Sequence, residues 1–249
     1  MANIVIKKHS AVLSEGLEYI IKRASGEVKS LKTGWTEFDQ IGFGGMEWGT
    51  LMIISSRPGV GKTLLVQSLS RNLQHFNQDQ DFNVLNFQFE MLSKNIAARE
   101  FAGISKKSLR YLLSAGDKGL NKLSGTDIQL LKAYAETLQH RNEYVVDTAL
   151  SSFEMRQVID RFYQQHHKPF VITLDHTLLV KQSSNEKSEL EKLQNLSTMM
   201  VETKNAYPIS WIVLSQLNRS IDDPDRQVPG KLSNYPNPSD IFGSKKLDQ

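Results

Sequence analysis

Cysteine is missing from this 249-residue chain, which excludes disulfides and thiolate metal sites and fits a reducing compartment. No apolar run reaches the ~18–20 residues that a membrane-spanning helix needs. The N-terminus (Met1-Ala2-Asn3-Ile4-Val5-Ile6-Lys7-Lys8-His9) lacks the long apolar segment of a signal peptide. A cytoplasmic protein without a membrane partner is the expectation. Excess charge of one sign is also scarce, because 30 basic and 27 acidic residues leave a formal +3. That is too little to mark a nucleic-acid binder by itself, so any basic surface is local. Proline is sparse until residue 223, after which come four of the seven, Pro224, Pro229, Pro236 and Pro238. Set among Asn, Asp, Ser and Gly, they read as a long loop, and such loops are usually functional or disordered.

What is present suffices for a sizeable core, since 39% of the residues are hydrophobic. Within residues 11–24, Val12, Leu13, Leu17, Ile20 and Ile21 fall on one stripe at helical spacing, an amphipathic helix lying outside the core. A Gly-punctuated segment from Thr33 to Gly49 follows. Strand and helix then alternate, with strands at 51–55, 84–89, 144–147, 170–175 and 209–214. Helices are expected at about 62–76, 93–103, 105–114, 126–140, 152–167 and 186–206. The alternation predicts an α/β fold, a mostly parallel sheet with helices on both faces.

The first strand runs into Ser56-Arg57-Pro58-Gly59-Val60-Gly61-Lys62-Thr63, and Leu64 continues into the next helix. That is the setting of a phosphate-binding loop. Small residues let backbone N–H groups close around phosphates, Lys62 reaches the β- and γ-phosphates, and the Thr63 hydroxyl ligates Mg²⁺. The helix adds its positive end. Ser56 stands where the pattern G-x-x-x-x-G-K-[ST] asks for Gly, and it is small enough to serve. The bland reading is a Gly-rich turn before an ordinary core helix.

Ligands of open parallel sheets sit at the carboxyl ends of the strands, where Glu90, Asp175 and Gln216 follow apolar runs. Asp175 fits the Walker-B position, holding the Mg²⁺ bound by Thr63; a helix cap or turn is the alternative. Glu90 can orient and deprotonate an attacking water, or it simply opens the helix at 93. Gln216 can sense the γ-phosphate through a neutral hydrogen bond, or it is solvated. Arg99, on the helix after Glu90, can reach the same phosphate or face solvent.

Taken together, these motifs resemble the C-terminal motor domain of the DnaB-type replicative helicases, a hexameric branch of the RecA-like ATPases. The likeness runs through Leu31-Lys32-Thr33-Gly34-Trp35-Thr36-Glu37-Phe38-Asp39, the Arg-Pro-containing phosphate loop, Phe87-Gln88-Phe89-Glu90-Met91 and Thr173-Leu174-Asp175-His176. At the last of these, His176 stands where many members carry Tyr. Leu214-Ser215-Gln216-Leu217-Asn218-Arg219 is the most specific match. The resemblance implies Glu90 as general base, Arg99 near the γ-phosphate, and Gln216 coupling nucleotide state to a DNA loop. It also implies ATP and Mg²⁺ as cofactors, single-stranded DNA as partner, and a homo-oligomer, a hexameric ring. The Pro-rich tail then resembles a channel loop tracking single-stranded DNA, with Arg219, Lys231, Lys245 and Lys246 as phosphate contacts. There Phe242-Gly243 replaces the family's usual Arg-Glu pair, and Phe242 can stack on a base or pack in the core.

Residues 1–30 resemble a linker helix region that docks on a neighbouring subunit, and 31–249 an ATPase domain incomplete at its C-terminus. The family's arginine finger is expected beyond that point, supplied by a neighbour or a hetero-assembly, so the chain alone is expected to bind ATP and Mg²⁺ but to hydrolyse slowly. Two rival readings remain open here: a RecA- or KaiC-like ATPase without unwinding, and a nucleotide-binding module dependent on a partner. His166-His167 reads as a helix end, Lys106-Lys107 and Lys7-Lys8 as solvated faces, and Met199-Met200 as core.

Overall fold

The computed structural model describes residues 6–113, 123–218, 221, 226 and 235–241. Five strands, β1 (Leu51–Ser56), β2 (Asn83–Gln88), β3 (Glu143–Val146), β4 (Phe170–Asp175) and β5 (Ile209–Gln216), form one sheet in the order β1-β5-β4-β2-β3. Every pairing is parallel. Parallel neighbours require crossovers, and helices supply them: α3 (Lys62–Phe76), α4 (Ser93–Ser105), α5 (Leu109–Leu112), α6 (Gly125–Leu138), α7 (Ser152–His166) and α8 (Glu189–Ala206). Ahead of the sheet lie α1 (His9–Ala24) and α2 (Thr36–Ile41).

Side-chain alternation along the strands divides the core between two faces. On one face Leu85, Phe87, Ile172, Leu174, Trp211 and Val213 pack against Met155 and Ile159 of α7 and Leu196 and Met200 of α8. The opposite face buries Val84, Val171, Ile212 and Leu214 against Val66, Leu69 and Leu73 of α3. Capping boxes start α6 at Ser124 with Asp127 and α7 at Ser151 with Glu154, satisfying amide donors left free at a helix start. Trp211 is the largest fully buried side chain, whereas Trp35 and Trp48 pack at the rim of the α3 cluster.

Two expectations need correction. The helix expected at 105–114 shrinks to the single turn α5, because Lys106 at φ 52° turns left-handed and ends α4. The Gly-punctuated segment also contains α2, where Asp39 reaches back to accept from the Thr33 amide at 2.9 Å and the Thr33 hydroxyl at 2.6 Å. Helix α1 matches expectation in a pointed way, because none of its residues is buried and its stripe of Val12, Leu13, Leu17, Ile20 and Ile21 faces outward.

The α3 face differs from the α7–α8 face in carrying a polar seam. Thr173 Oγ1 donates to Asn86 Oδ1 at 2.6 Å, Ser70 Oγ to the same oxygen at 3.4 Å, and Asn86 Nδ2 to Glu143 Oε1 at 2.8 Å. A cavity of about 200 Å³ adjoins the seam, lined by Gln67, Arg71, Gln88, Glu100 and Arg141 among others. Burial pushes the Glu143 carboxyl up, against the hydrogen bond from Asn86. A carboxyl raised by folding lends stability below its unfolded value and loses it as pH climbs through the folded one. Glu143→Gln, which keeps the acceptor for Asn86, is therefore expected to raise the melting temperature at pH 7–8 and to lose that advantage near pH 4. Melting curves across this range check it, and an advantage that grows on acidification would refute it.

Candidate functional site

The end of β1 and the start of α3 are joined by the loop Arg57–Gly61. Gly59 and Gly61 sit at φ 78° and 96° with nothing near the place a Cβ would occupy, so glycine is required by backbone conformation. The space above the loop is open. Val60 in the loop and Leu64 in the first turn of α3 are exposed. Lys62 donates to the Ser56 and Arg57 carbonyls at 3.2 and 3.3 Å, closing the loop on itself. Burial holds its ammonium below the usual range, with Asp175 and Glu90 pulling the other way.

Thr63 Oγ1, in the first turn of α3, donates to Asp175 Oδ2 at 2.7 Å, joining residues 112 apart in sequence. Asp175 closes β4 and is 1% exposed, and its Oδ1 has no hydrogen-bond partner. Burial pushes this carboxyl up, partly offset by the Thr63 hydrogen bond. A buried carboxylate with one free oxygen beside a threonine hydroxyl is a donor set suited to a hard divalent cation. These residues fit a nucleotide with its Mg²⁺.

Glu90, two residues past the end of β2, is exposed, and its charge acts on Lys62, Asp175 and His176. The Phe89 amide donates to the Asp175 carbonyl at 3.0 Å, fixing the approach to Glu90. Gln216 ends β5 in register with Ser56 of β1, and the Leu217 amide donates to the Ser56 carbonyl at 3.2 Å. Beyond it the Asn218 amide donates to the Asp240 carbonyl at 2.6 Å, while Arg226 Nη1 and Nη2 donate to the two oxygens of the buried Asp240 carboxylate. Arg57 Nη2 donates to the Ile221 carbonyl at 3.5 Å, so the phosphate loop touches this segment.

The structure thus gathers Lys62, Thr63, Glu90, Asp175 and Gln216 around one loop. It does not bring in Arg99, which is half-buried on α4 with no hydrogen bond or ion pair to that group. The nucleic-acid candidates Arg219, Lys231, Lys245, Lys246 and Phe242 lie outside the described residues. One contact escaped the sequence reading: His176, noted only as a departure from Tyr, lies with its Nε2 3.4 Å from Gln216 Nε2. Its signal in the sequence was its place directly after Asp175. No group of three or more metal-ligating side chains occurs among the described residues, His166-His167 included, and no described helix is long and apolar enough to cross a membrane.

Against known families, the profile of the DnaB-like helicase C terminal domain matches residues 30–249. The chain belongs to this family. Among its relatives are the replicative DNA helicase DnaB of Buchnera aphidicola subsp. Schizaphis graminum, 25% identical over 236 residues, and that of Helicobacter pylori (strain ATCC 700392 / 26695), 25% identical over 209. These alignments take in 94% and 84% of this chain but 47% and 41% of those helicases, so this DnaB-like chain spans about half the length of the relatives it matches or less. Of solved structures, one described as an ATPase domain superposes with a TM-score of 0.78 at 18% identity, covering 98% of this chain and 81% of that one. A structure of a DnaB-like replicative helicase and its interactions with primase gives 0.76 at 19%, covering 98% and 55%. The fold is that of RecA-like ATPase domains.

Proposed function

We propose that this DnaB-like domain is an ATP-dependent motor that couples Mg²⁺-ATP hydrolysis to movement along single-stranded DNA within a ring of like subunits. The observation that carries the reading is the 2.7 Å contact between Thr63 and Asp175, which supports it by joining the hydroxyl at the start of α3 to the buried carboxylate at the end of β4. Lys62 neutralises the β- and γ-phosphates and leaves the loop carbonyls to do so. Thr63 and Asp175 would hold Mg²⁺, which would help neutralise the charge that develops on the phosphates. Glu90, exposed and near enough for its charge to act on Lys62 and Asp175, takes a proton from the attacking water. Gln216 feels the γ-phosphate and passes its presence to the chain beyond β5, a connection supported by the Arg57–Ile221 contact. The outward apolar stripe of α1 supports docking on a second copy of the chain.

The test is Mg²⁺-dependent ATP hydrolysis with and without single-stranded DNA, beside Glu90→Gln. Turnover, however slow, is expected to rise with DNA, and Glu90→Gln to cut it ~10²-fold or more while ATP still binds. Binding without any turnover would recast the chain as a partner-dependent nucleotide module. A chain that binds no ATP would refute the reading outright.

A further inference from the structure

His176 enters none of the roles above, yet it is buried, 6% exposed, between Asp175 in sequence and Gln216 in space. It follows Asp175 directly, and its backbone is pinned, because its carbonyl accepts from the Leu179 amide at 3.0 Å in the helical turn Thr177–Leu179. The carbonyl of Leu178 in that turn accepts from Lys192 Nζ at 3.3 Å, and Lys192 is itself buried. The ring is therefore delivered from a rigid point. Its Nε2 faces the Gln216 amide at 3.4 Å, and its Nδ1 is buried without a hydrogen-bond partner. Gln216 is the ring's hydrogen-bond partner.

Strand order gives the pair its meaning. Strand β5 lies between β1 and β4, so Gln216 has the first residue of the phosphate loop on one side and the strand carrying Asp175 on the other. An amide free to rotate loses that freedom when it engages a phosphate, and a hydrogen bond already made to a fixed ring removes part of the loss in advance. An amide nitrogen has two hydrogens, so one can remain on the imidazole while the other points toward the loop.

We propose that His176 is the positioning residue for Gln216, holding its amide toward the phosphate loop and so setting how well the site distinguishes ATP from ADP. This rests on the reading of Gln216 as the γ-phosphate sensor. With Nε2 carrying no proton, the ring accepts from the Gln216 amide across 3.4 Å.

The experiment compares affinities for a non-hydrolysable ATP analogue and for ADP in the full chain, in His176→Phe, in Gln216→Ala and in the double variant. Histidine-selective ¹⁵N spectra are recorded for the parent and Gln216→Ala. His176→Phe is expected to lower the analogue-to-ADP affinity ratio about 3- to 10-fold, the worth of ordering one such side chain, with ADP affinity held within about twofold. The double variant should lose no more than Gln216→Ala alone, because His176 acts through the glutamine. Gln216→Ala should also move the His176 Nε2 resonance. Additive losses, or an unmoved resonance, would overturn the inference whether or not nucleotide binds. A ratio that Gln216→Ala leaves intact fails the sensor reading instead, and a ratio that collapses there but survives His176→Phe fails only the part given to His176.

Discussion

Asp175→Asn is expected to cut Mg²⁺-dependent ATP hydrolysis ~10²-fold or more, an increase in the barrier of about 3 kcal/mol, while leaving the nucleotide-free chain no less stable. The asparagine keeps the shape and an oxygen for the Thr63 hydroxyl, but it loses the charge proposed to bind the cation. In the free chain that charge is a burden: Asp175 is buried, one carboxylate oxygen has no partner, and the negative Glu90 is near enough to act on it. A neutral amide in the same place avoids burying an ion. The check is turnover across a range of Mg²⁺ at saturating ATP, together with melting curves without nucleotide. Turnover within threefold of the parent would remove Asp175 from the metal site. A large fall in melting temperature would show that the carboxylate holds the fold together and not only the cation.

The largest effect on stability is expected at Trp211→Ala, with a loss of about 3–5 kcal/mol. Trp211 is fully buried in β5, a strand paired on both sides. Its indole N–H donates to Thr203 Oγ1 of α8 at 3.1 Å, and that hydroxyl lies 2.9 Å from the Met199 and Met200 carbonyls. Removing the ring leaves a gap between sheet and helix and strips one bond from the threonine. Because domains are stable by only about 5–15 kcal/mol, this is a substantial fraction, and at about 2–4 °C per kcal/mol it amounts to a fall of roughly 6–20 °C. Trp211→Phe fills most of the space and should cost less. Urea titrations of both variants check the ranking, and a loss under about 1 kcal/mol for Trp211→Ala would mean that α8 settles into the gap.

Much of this was legible in the chain because the signals are local. The phosphate loop is a contiguous pattern, α3 begins and ends where its apolar spacing says, and the five strands sit within about two residues of the apolar runs that predict them. Asp175 was readable from its place at the end of an apolar strand. What stayed hidden depends on neighbours that the sequence does not order. The His176–Gln216 contact joins residues 40 apart and exists because β4 and β5 are adjacent. Asn86 and Thr173 are polar positions within apolar strands, and their bond to each other, with Ser70 of α3 beside it, depends on β2 and β4 being neighbours under that helix. Helix α2 was missed because six residues between glycines offer too short a period. Its side-chain tie from Asp39 to Thr33 needs the fold to be seen.

The α3 face of the sheet adds a polar seam to its apolar packing, whereas the α7–α8 face is chiefly apolar, with the Trp211–Thr203 hydrogen bond set within it. Interdigitated apolar side chains, which chiefly seat α7 and α8, are close-packed and resist displacement. Hydrogen bonds, such as the one from Ser70 on α3 to Asn86, are directional and can be exchanged one for another, with water in the adjoining cavity as an alternative partner. The helix that begins at the phosphate loop therefore rests partly on joints that can be remade. The helices on the other face form a close-packed apolar backing for it.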